Sequence, residues 1–421
     1  MTLGTSLLSP KTLSKDVAAF GNVSPEQSVE IEVALLTGGF DKPYAFGLAM
    51  ALISKGVCLD VIGSDDVDSP EMHCTPKLNF FNLWGSKGEA TLATKISRVL
   101  IYYVRLIRYA TITEAQIFHI LWNNKFQFLD RTLLMLYYRL LGKKIVLTAH
   151  NVNAGKRDSN DSLLNRITLR AQYLLADHVF VHTEKMKSEL LRDFGVHEAK
   201  VSVIPFGINN SVPHTDLTPY EAKERLGIRR DERTILFFGA IRPYKGLEYL
   251  VDAFQQLAAT HPEYRLIIAG EARREGEQYV SDIQRTINCH VSREQVIRRI
   301  KYIPDGETEL YFKAADVLAL PYTHIFQSGV LFLGYSFGLP VIATDVGSIS
   351  EEIVEGRTGF LCRPCDPVDL TKAIEKYFDS DLFKNLASHR REIREYATAK
   401  HSWDIVSEIT QKVYTQVSIE R

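Results

Sequence analysis

No stretch of this 421-residue chain approaches eighteen consecutive apolar residues, so the sequence offers no convincing transmembrane helix. Its first 30 residues have neither the basic start nor the apolar run of a signal peptide and read as a mobile arm. A charge bias is missing as well. Fifty Lys and Arg stand against 51 Asp and Glu, a formal charge of −1, and nothing global points to nucleic acid. Cysteine is scarce and odd in number, five residues, which favours reduced thiols and a cytosolic setting. The one C-x-x-C, Cys362 and Cys365, has no second pair to complete a zinc site and follows a strand instead of opening a helix. Short-period repeats and low-complexity tracts are absent. What is present is ordinary: 45% apolar, 24% charged and 10% aromatic residues, a globular composition that excludes collagen-like and disordered chains. The length suits two or three domains.

From residue 31, short apolar runs alternate with helix-length segments. The runs at 31–36, 57–62, 117–120, 144–149, 178–182 and 201–205 read as strands, with helices at 44–55, 90–109, 162–176 and 184–194. A second series of strands at 234–239, 265–270, 316–321 and 340–344 is separated by helices at 246–260, 306–315, 329–337 and 366–378. Near-continuous apolar strands between helices imply parallel sheets covered on both faces, and right-handed crossovers then give doubly wound α/β domains. The turn-rich segment from Gly207 to Arg233 separates the series, giving an arm at 1–30, one Rossmann-like domain at 31–210 and another at 211–400. Open α/β sheets bind ligands at the carboxyl ends of their strands, so two such domains point to a shared cleft.

Three segments carry chemistry at those strand ends. Gly38 and Gly39 follow the first strand and precede a helix, which suits close backbone approach to an anion, although the fingerprint G-x-G-x-x-G is absent and a plain tight turn explains them equally well. In FFGAIRPYKG, a loop presents Arg242 and Lys245 just beyond a buried strand, two cations placed for a diphosphate. In PYTHIFQSGVLFLGYSFGLP, Ser328 is expected to cap a helix that opens at Gly329 and stops at Gly338. Gln327, Ser328, Gly329 and Val330 would then offer polar side chains and backbone amides beside the Arg242/Lys245 loop.

The run from Phe237 to Leu361 resembles the nucleotide-binding half of the retaining glycosyltransferases of family four, which have the GT-B fold. FFGAIRPYKG, IIAGE at 267–271, AADVLALPY at 314–322 and GLPVIATDVGSISEEI at 338–353 carry the resemblance. The first half agrees through the glycine turn at 38–39, TAHNV at 148–152, AQYLLADHVFVHTE at 171–184 and VSVIPFGIN at 201–209. HSWDIV at 401–406 is similar to the start of a last helix, 401–421, that crosses back onto the first domain. The resemblance implies a nucleotide-sugar donor held mainly by the second domain, an acceptor entering over the first, and no metal or other cofactor. It also implies that Lys245 meets the diphosphate, with Arg242 substituting for an arginine the family often has at Ala240. His150 would face the transferred sugar, Gly39 the phosphates, and Glu271 an acidic donor-side position. One departure stands out. The family's two glutamates, eight positions apart, fall on Ile325 and Leu333, and the sequence carries Q-S-G at 327–329 instead.

Asp66-Val67-Asp68 mimics a D-x-D metal site but reads as a loop, and His119, His178 and His182 read as core histidines. Residues 87–144 hold ten Lys and Arg against three acids. Along 95–110, Lys95, Arg98, Arg105 and Arg108 gather on one side, with Ile96, Val99, Leu100, Val104, Leu106 and Ile107 on the other. A core-facing apolar side explains this pattern, and so does docking on an anionic membrane surface or a lipid diphosphate. The sequence thus predicts a cytoplasmic glycosyltransferase, moving a sugar from a nucleoside diphosphate to a saccharide or lipid-linked saccharide, with retention implied by the family alone. A catalytically silent subunit and a nucleotide-sugar epimerase on the same fold are the rivals.

Overall fold

The computed structural model describes residues 31–85, 91–157, 161–208, 212–272 and 276–419; the arm expected at 1–30 lies outside them. The first sheet contains β1 (Glu32–Leu36), β2 (Cys58–Gly63), β3 (Leu78–Asn82), β4 (Ile117–Ile120), β5 (Lys144–Thr148), β6 (His178–Val181) and β7 (Val201–Val203). Their order is β3-β2-β1-β4-β5-β6-β7, with every pairing parallel. The second contains β8 (Arg233–Phe238), β9 (Tyr264–Ala269), β10 (Val296–Arg299), β11 (Val317–Leu320), β12 (Val341–Thr344) and β13 (Gly359–Cys362), ordered β10-β9-β8-β11-β12-β13 and again parallel. Both are doubly wound, and the GT-B fold expected from the sequence is the fold observed. Each sheet reverses its strand order beside its first strand, between β1 and β4 and between β8 and β11. Those switch points open the crevices in which such sheets take ligands.

Alternation along the strands explains why both faces are covered. Val33 and Leu35 pack into one apolar layer with the helix Lys42–Ser54, while Ala34 and Leu36 pack into the opposite layer. The two strands missing from the sequence reading, β3 and β10, are both sheet edges. LNFFN and VIRR are only partly buried, so neither needs the continuous apolar run that marks a central strand. The expected linker is shorter than the sequence suggested. A helix at Pro219–Arg225, closed by a Thr218/Glu221 capping box, already belongs to the second core through Ala222.

The helix Leu92–Ile112 corrects the expectation for its apolar side. Val99, Tyr102, Tyr103, Leu106 and Tyr109 are buried, whereas Ile96, Leu100 and Val104 are 54%, 58% and 66% exposed. The tyrosines win the core because each hydroxyl finds a partner there. Tyr102 donates to Asn124 Oδ1 (2.5 Å), Tyr103 to Asp130 Oδ1 (3.0 Å) and Tyr109 to Asp60 Oδ2 (2.6 Å). The spacing 99, 102, 103, 106, 109 is itself a regular helical stripe, one that a division into cations and aliphatics does not reveal.

The last helix, Trp403–Ile419, lies against Lys42–Ser54, with Gln411 Nε2 donating to the Lys55 carbonyl (2.8 Å). Its anchor is Trp403. The indole is held between Gly47 and Gly207, where a Cβ on either would overlap the ring, and its Nε1 donates to the Ile208 carbonyl (2.9 Å). Cys362 is buried, with its thiol pushed up to about 12 by burial, and Cys365 is exposed; both are free.

Candidate functional site

At the first switch point, Gly38 has φ 60° and Gly39 φ 72°. A side chain on Gly38 would stand 2.9 Å from the Trp122 carbonyl, so β1 and the segment after β4 approach at a distance only glycine permits. The Gly39 amide donates to Thr37 Oγ1 (3.1 Å), which fixes the turn before the helix Lys42–Ser54.

His150 stands two residues beyond β5. Its ring lies flat on Trp122, with centroids 4.2 Å apart and planes 6° apart, and meets the edge of Tyr44. Its Nδ1 is 2.9 Å from His182 Nε2, and His182 Nδ1 is 3.2 Å from the Ile204 carbonyl oxygen. A carbonyl only accepts, so His182 must donate from Nδ1. Burial holds His182 down at about 4, hence neutral at pH 7, so its Nε2 accepts and His150 Nδ1 donates. Burial and then the neighbouring histidines hold His150 well below its ordinary value too. The chain Ile204–His182–His150 therefore ends in a bare lone pair on His150 Nε2, a buried atom with no partner among the described residues. That atom is set to accept a hydroxyl proton. His182 is buried as expected, but its role in orienting His150 was missed. The signal was available: Thr148 pairs with Phe180 in parallel register, so the residues two further on, His150 and His182, must be neighbours.

Beside His150, a pocket of about 190 Å³ is lined by Trp122, Asn123, Gln127, Arg131, Gln172 and Tyr173 among others. Arg131 is buried and donates to Asn165 Oδ1 (2.8 Å).

At the second switch point, Lys245 is buried at the end of the loop that follows β8. Its Nζ donates to Tyr322 Oη (3.2 Å), and the same phenol is 3.2 Å from Ser328 Oγ. A side chain placed on Gly239 would fall 3.3 Å from Val330 Cγ2 and 3.6 Å from Lys245 Nζ, so strand end, ammonium and helix start share one small volume. The helix Gly329–Ser336 does open where expected, and its first amides and dipole suit an anion. Ser328 occupies the cap position but does not cap: its hydroxyl turns to Tyr322 instead. Tyr322, two residues beyond β11, is the link that sequence reasoning did not name.

Arg242 is half-buried in the same turn, its carbonyl accepting from Lys245 N (2.9 Å). Glu271 is exposed beyond β9 and is tied to the loop by its own carbonyl, which accepts from Ile241 N (2.8 Å). Ile325 and Leu333 are both buried in the second core. Q-S-G does meet a carboxylate elsewhere, Glu352, whose Oε1 accepts from Gln327 Nε2 (3.4 Å); Gln327 Oε1 is buried and has no partner among the described residues. Burial pushes Glu352 up, but His401 (3.1 Å) and Lys400 (2.8 Å) more than offset that, leaving it below the usual range. His401 meets Phe332 at a tilt (4.7 Å, 54°), Phe332 lies flat on Phe206 (5.1 Å, 9°), and Phe206 meets His182. Buried contacts thus run from Gln327 to His150 across the cleft. Thr183 and Ser348, their hydroxyls 2.8 Å apart, close it further.

Among the described residues, no three His, Cys, Asp or Glu side chains converge as a metal site requires, and Asp68 of the D-x-D segment pairs with His73 (2.6 Å).

Residues 44–212 match the family model "Glycosyltransferase Family 4", and residues 220–400 match "Glycosyl transferases group 1". A curated relative, the D-inositol 3-phosphate glycosyltransferase of Corynebacterium efficiens, is 24% identical over 279 residues, 63% of this chain and 66% of that protein. Among solved structures, sucrose-phosphate synthase from Thermosynechococcus elongatus superposes with a TM-score of 0.75 at 19% identity, over 93% of this chain and 100% of that one. Anabaena Alr3699/HepE in complex with UDP-glucose gives 0.71 at 16% identity, over 92% and 100%. At these identities the structural likeness establishes the fold.

Proposed function

The chain belongs to the GT-B glycosyltransferases, each half through its own family model, and from that premise we propose that it transfers a sugar from a nucleoside diphosphate to the hydroxyl of a saccharide or lipid-linked saccharide, with retention. The observation that carries this reading is the Lys245–Tyr322–Ser328 cluster at the start of the helix Gly329–Ser336, across the cleft from the bare His150 Nε2. Lys245, Arg242 and the amides of Gly329 and Val330 receive the diphosphate, while Gly39 lines the opposite wall. As the bond from the anomeric carbon to the phosphate oxygen breaks, its electron pair leaves with the diphosphate. The acceptor hydroxyl attacks from the same face and passes its proton to the departing phosphate oxygen. Charge placed in advance lowers the barrier without reorganisation. His150 accepts from a sugar hydroxyl and orients the ring; neutral and held far below its ordinary value, it is a poor base.

The missing glutamates favour one rival, a silent subunit, because Ile325 and Leu333 are buried and leave no carboxylate at those positions. Thermal shift with UDP-, GDP- and ADP-sugars, followed by transfer of labelled sugar, separates the two. Donor binding without transfer or hydrolysis supports the silent subunit, and no stabilisation by any nucleotide sugar removes the donor site.

A further inference from the structure

Besides the helix Glu184–Phe194, three helices side by side cover one face of the first sheet: Leu92–Ile112, the segment 127–140 with its π-turn at Asp130–Leu134, and Leu163–Leu175. Thr111 Oγ1 and Tyr137 Oη, 2.8 Å apart, join the first to the second, and the Arg131–Asn165 bond joins the second to the third. Their inner sides fill the core, yet their outer sides are not polar. Of 21 large apolar side chains exposed among the described residues, 14 stand on these three helices. Leu100 and Val104 are 58% and 66% exposed, Leu133 and Leu140 are 56% and 85%, and Leu163 and Ile167 are 76% and 57%. Charge on the layer has one sign. The three helices carry eight Lys and Arg and a single carboxylate, Asp130; Asp130 and Arg131 are buried, Arg139 and Arg166 pair with Asp177 and Asp161, and the other cations stand mainly on Leu92–Ile112. An ordinary solvated helix face mixes both signs and few exposed aliphatics; an apolar surface of this extent marks an interaction site.

We propose that this three-helix layer is the seat of the protein on an anionic lipid bilayer, its aliphatic side chains entering the headgroup boundary while Lys95, Arg105 and Arg108 meet lipid phosphates. Charge selects the occupant, since a second copy would bring the same cations face to face, whereas an anionic lipid surface complements cations and aliphatics together. The pocket beside His150 lies at the margin of the seat. Gln127 and Arg131 of the second helix line that pocket, and the neighbouring Phe126 and Phe128 are exposed at 49% and 54%. A lipid-anchored acceptor would therefore reach the pocket along the membrane plane. This last step rests on the transferase reading; the docking does not.

Flotation of the full chain with vesicles of phosphatidylcholine alone, or mixed with phosphatidylglycerol, tests the seat. The parent should float with the mixed vesicles and not with the neutral ones. Lys95→Glu with Arg105→Glu and Arg108→Glu should weaken binding on the order of 100-fold. Leu100→Ser with Val104→Ser and Leu140→Ser should weaken it by about tenfold or more at unchanged charge. Both variants change exposed positions, so both should keep the parent's melting midpoint and its stabilisation by nucleotide sugar. A parent that stays unbound, that binds neutral vesicles equally well, or that sediments as a dimer released by the serine variant overturns the proposal. A parent that floats yet is not stabilised by any nucleotide sugar keeps the seat and loses the transferase reading; the reverse pattern does the opposite.

Discussion

Replacing Lys245 by Met should move stability and donor affinity in opposite directions. The ammonium is buried, and among the described residues its polar partner is the neutral phenol of Tyr322 at 3.2 Å, with no carboxylate in ion-pair range. A buried charge without a counter-ion is held at a desolvation cost, and a methionine of similar length keeps the packing of the stem while removing that cost. The donor-free protein should therefore melt at or above the parent temperature. With donor bound the balance reverses. A unit charge about 4 Å from one diphosphate charge is worth about 4 kcal/mol at an effective dielectric of 20. After partial compensation by water and by the amides at Gly329 and Val330, a loss of about 2–4 kcal/mol is expected, or ~30- to ~1,000-fold in donor Kd. Calorimetric titration with a nucleotide sugar, paired with urea unfolding of the donor-free protein, reads both quantities. If the variant binds donor within threefold of the parent, the diphosphate does not lie at Lys245. If it loses stability by several kcal/mol, Lys245 is a structural cation and the argument from its missing counter-ion fails.

The helix start offers a second contrast. Ser328→Ala removes no cap but does remove the buried bond to Tyr322 and should cost about 1 kcal/mol of folding stability, while Gly329→Val, whose Cβ meets open space, should fold normally and weaken donor binding, as urea unfolding and titration of each variant would show. Acid should destabilise the first domain with a definite sign. Burial lowers His119 to about 3 and His178 and His182 to about 4, so the unfolded chain binds more protons below pH 6.5. Stability is fully present above that pH and falls toward pH 4, by on the order of 3 kcal/mol for His182 alone. Urea midpoints flat from pH 7 to 4.5 would contradict those environments. At the helix junction, His401→Ala leaves buried Glu352 with Lys400 and Gln327 and should cost about 1–3 kcal/mol, with early protease cleavage near Ser402; a variant as stable and as protease-resistant as the parent would show that the His401–Glu352 contact is idle.

Much of this protein is determined by sequence alone, for a local reason. Central strands of a doubly wound sheet are buried on both faces, so β1, β5, β8 and β11 appear as unbroken apolar runs, and their crossovers appear as helices between them. Residues just past those runs must lie at the carboxyl edge, which is why Gly38 and Lys245 could be named from the pattern, whereas His150 is named by the family resemblance alone. Tertiary structure decided what depends on a neighbour far along the chain. The edge strands β3 and β10 are defined by pairing and not by pattern. Ser328 looks like a cap, but Tyr322 competes for its hydroxyl. His182 looks like a core histidine until the parallel register brings it against His150. The helix Leu92–Ile112 carries two apolar stripes, and only the hydroxyl partners Asn124, Asp130 and Asp60 settle which one turns inward and which is left facing out. Local periodicity specifies that an element exists; which of its faces is buried is fixed by the partners the fold supplies.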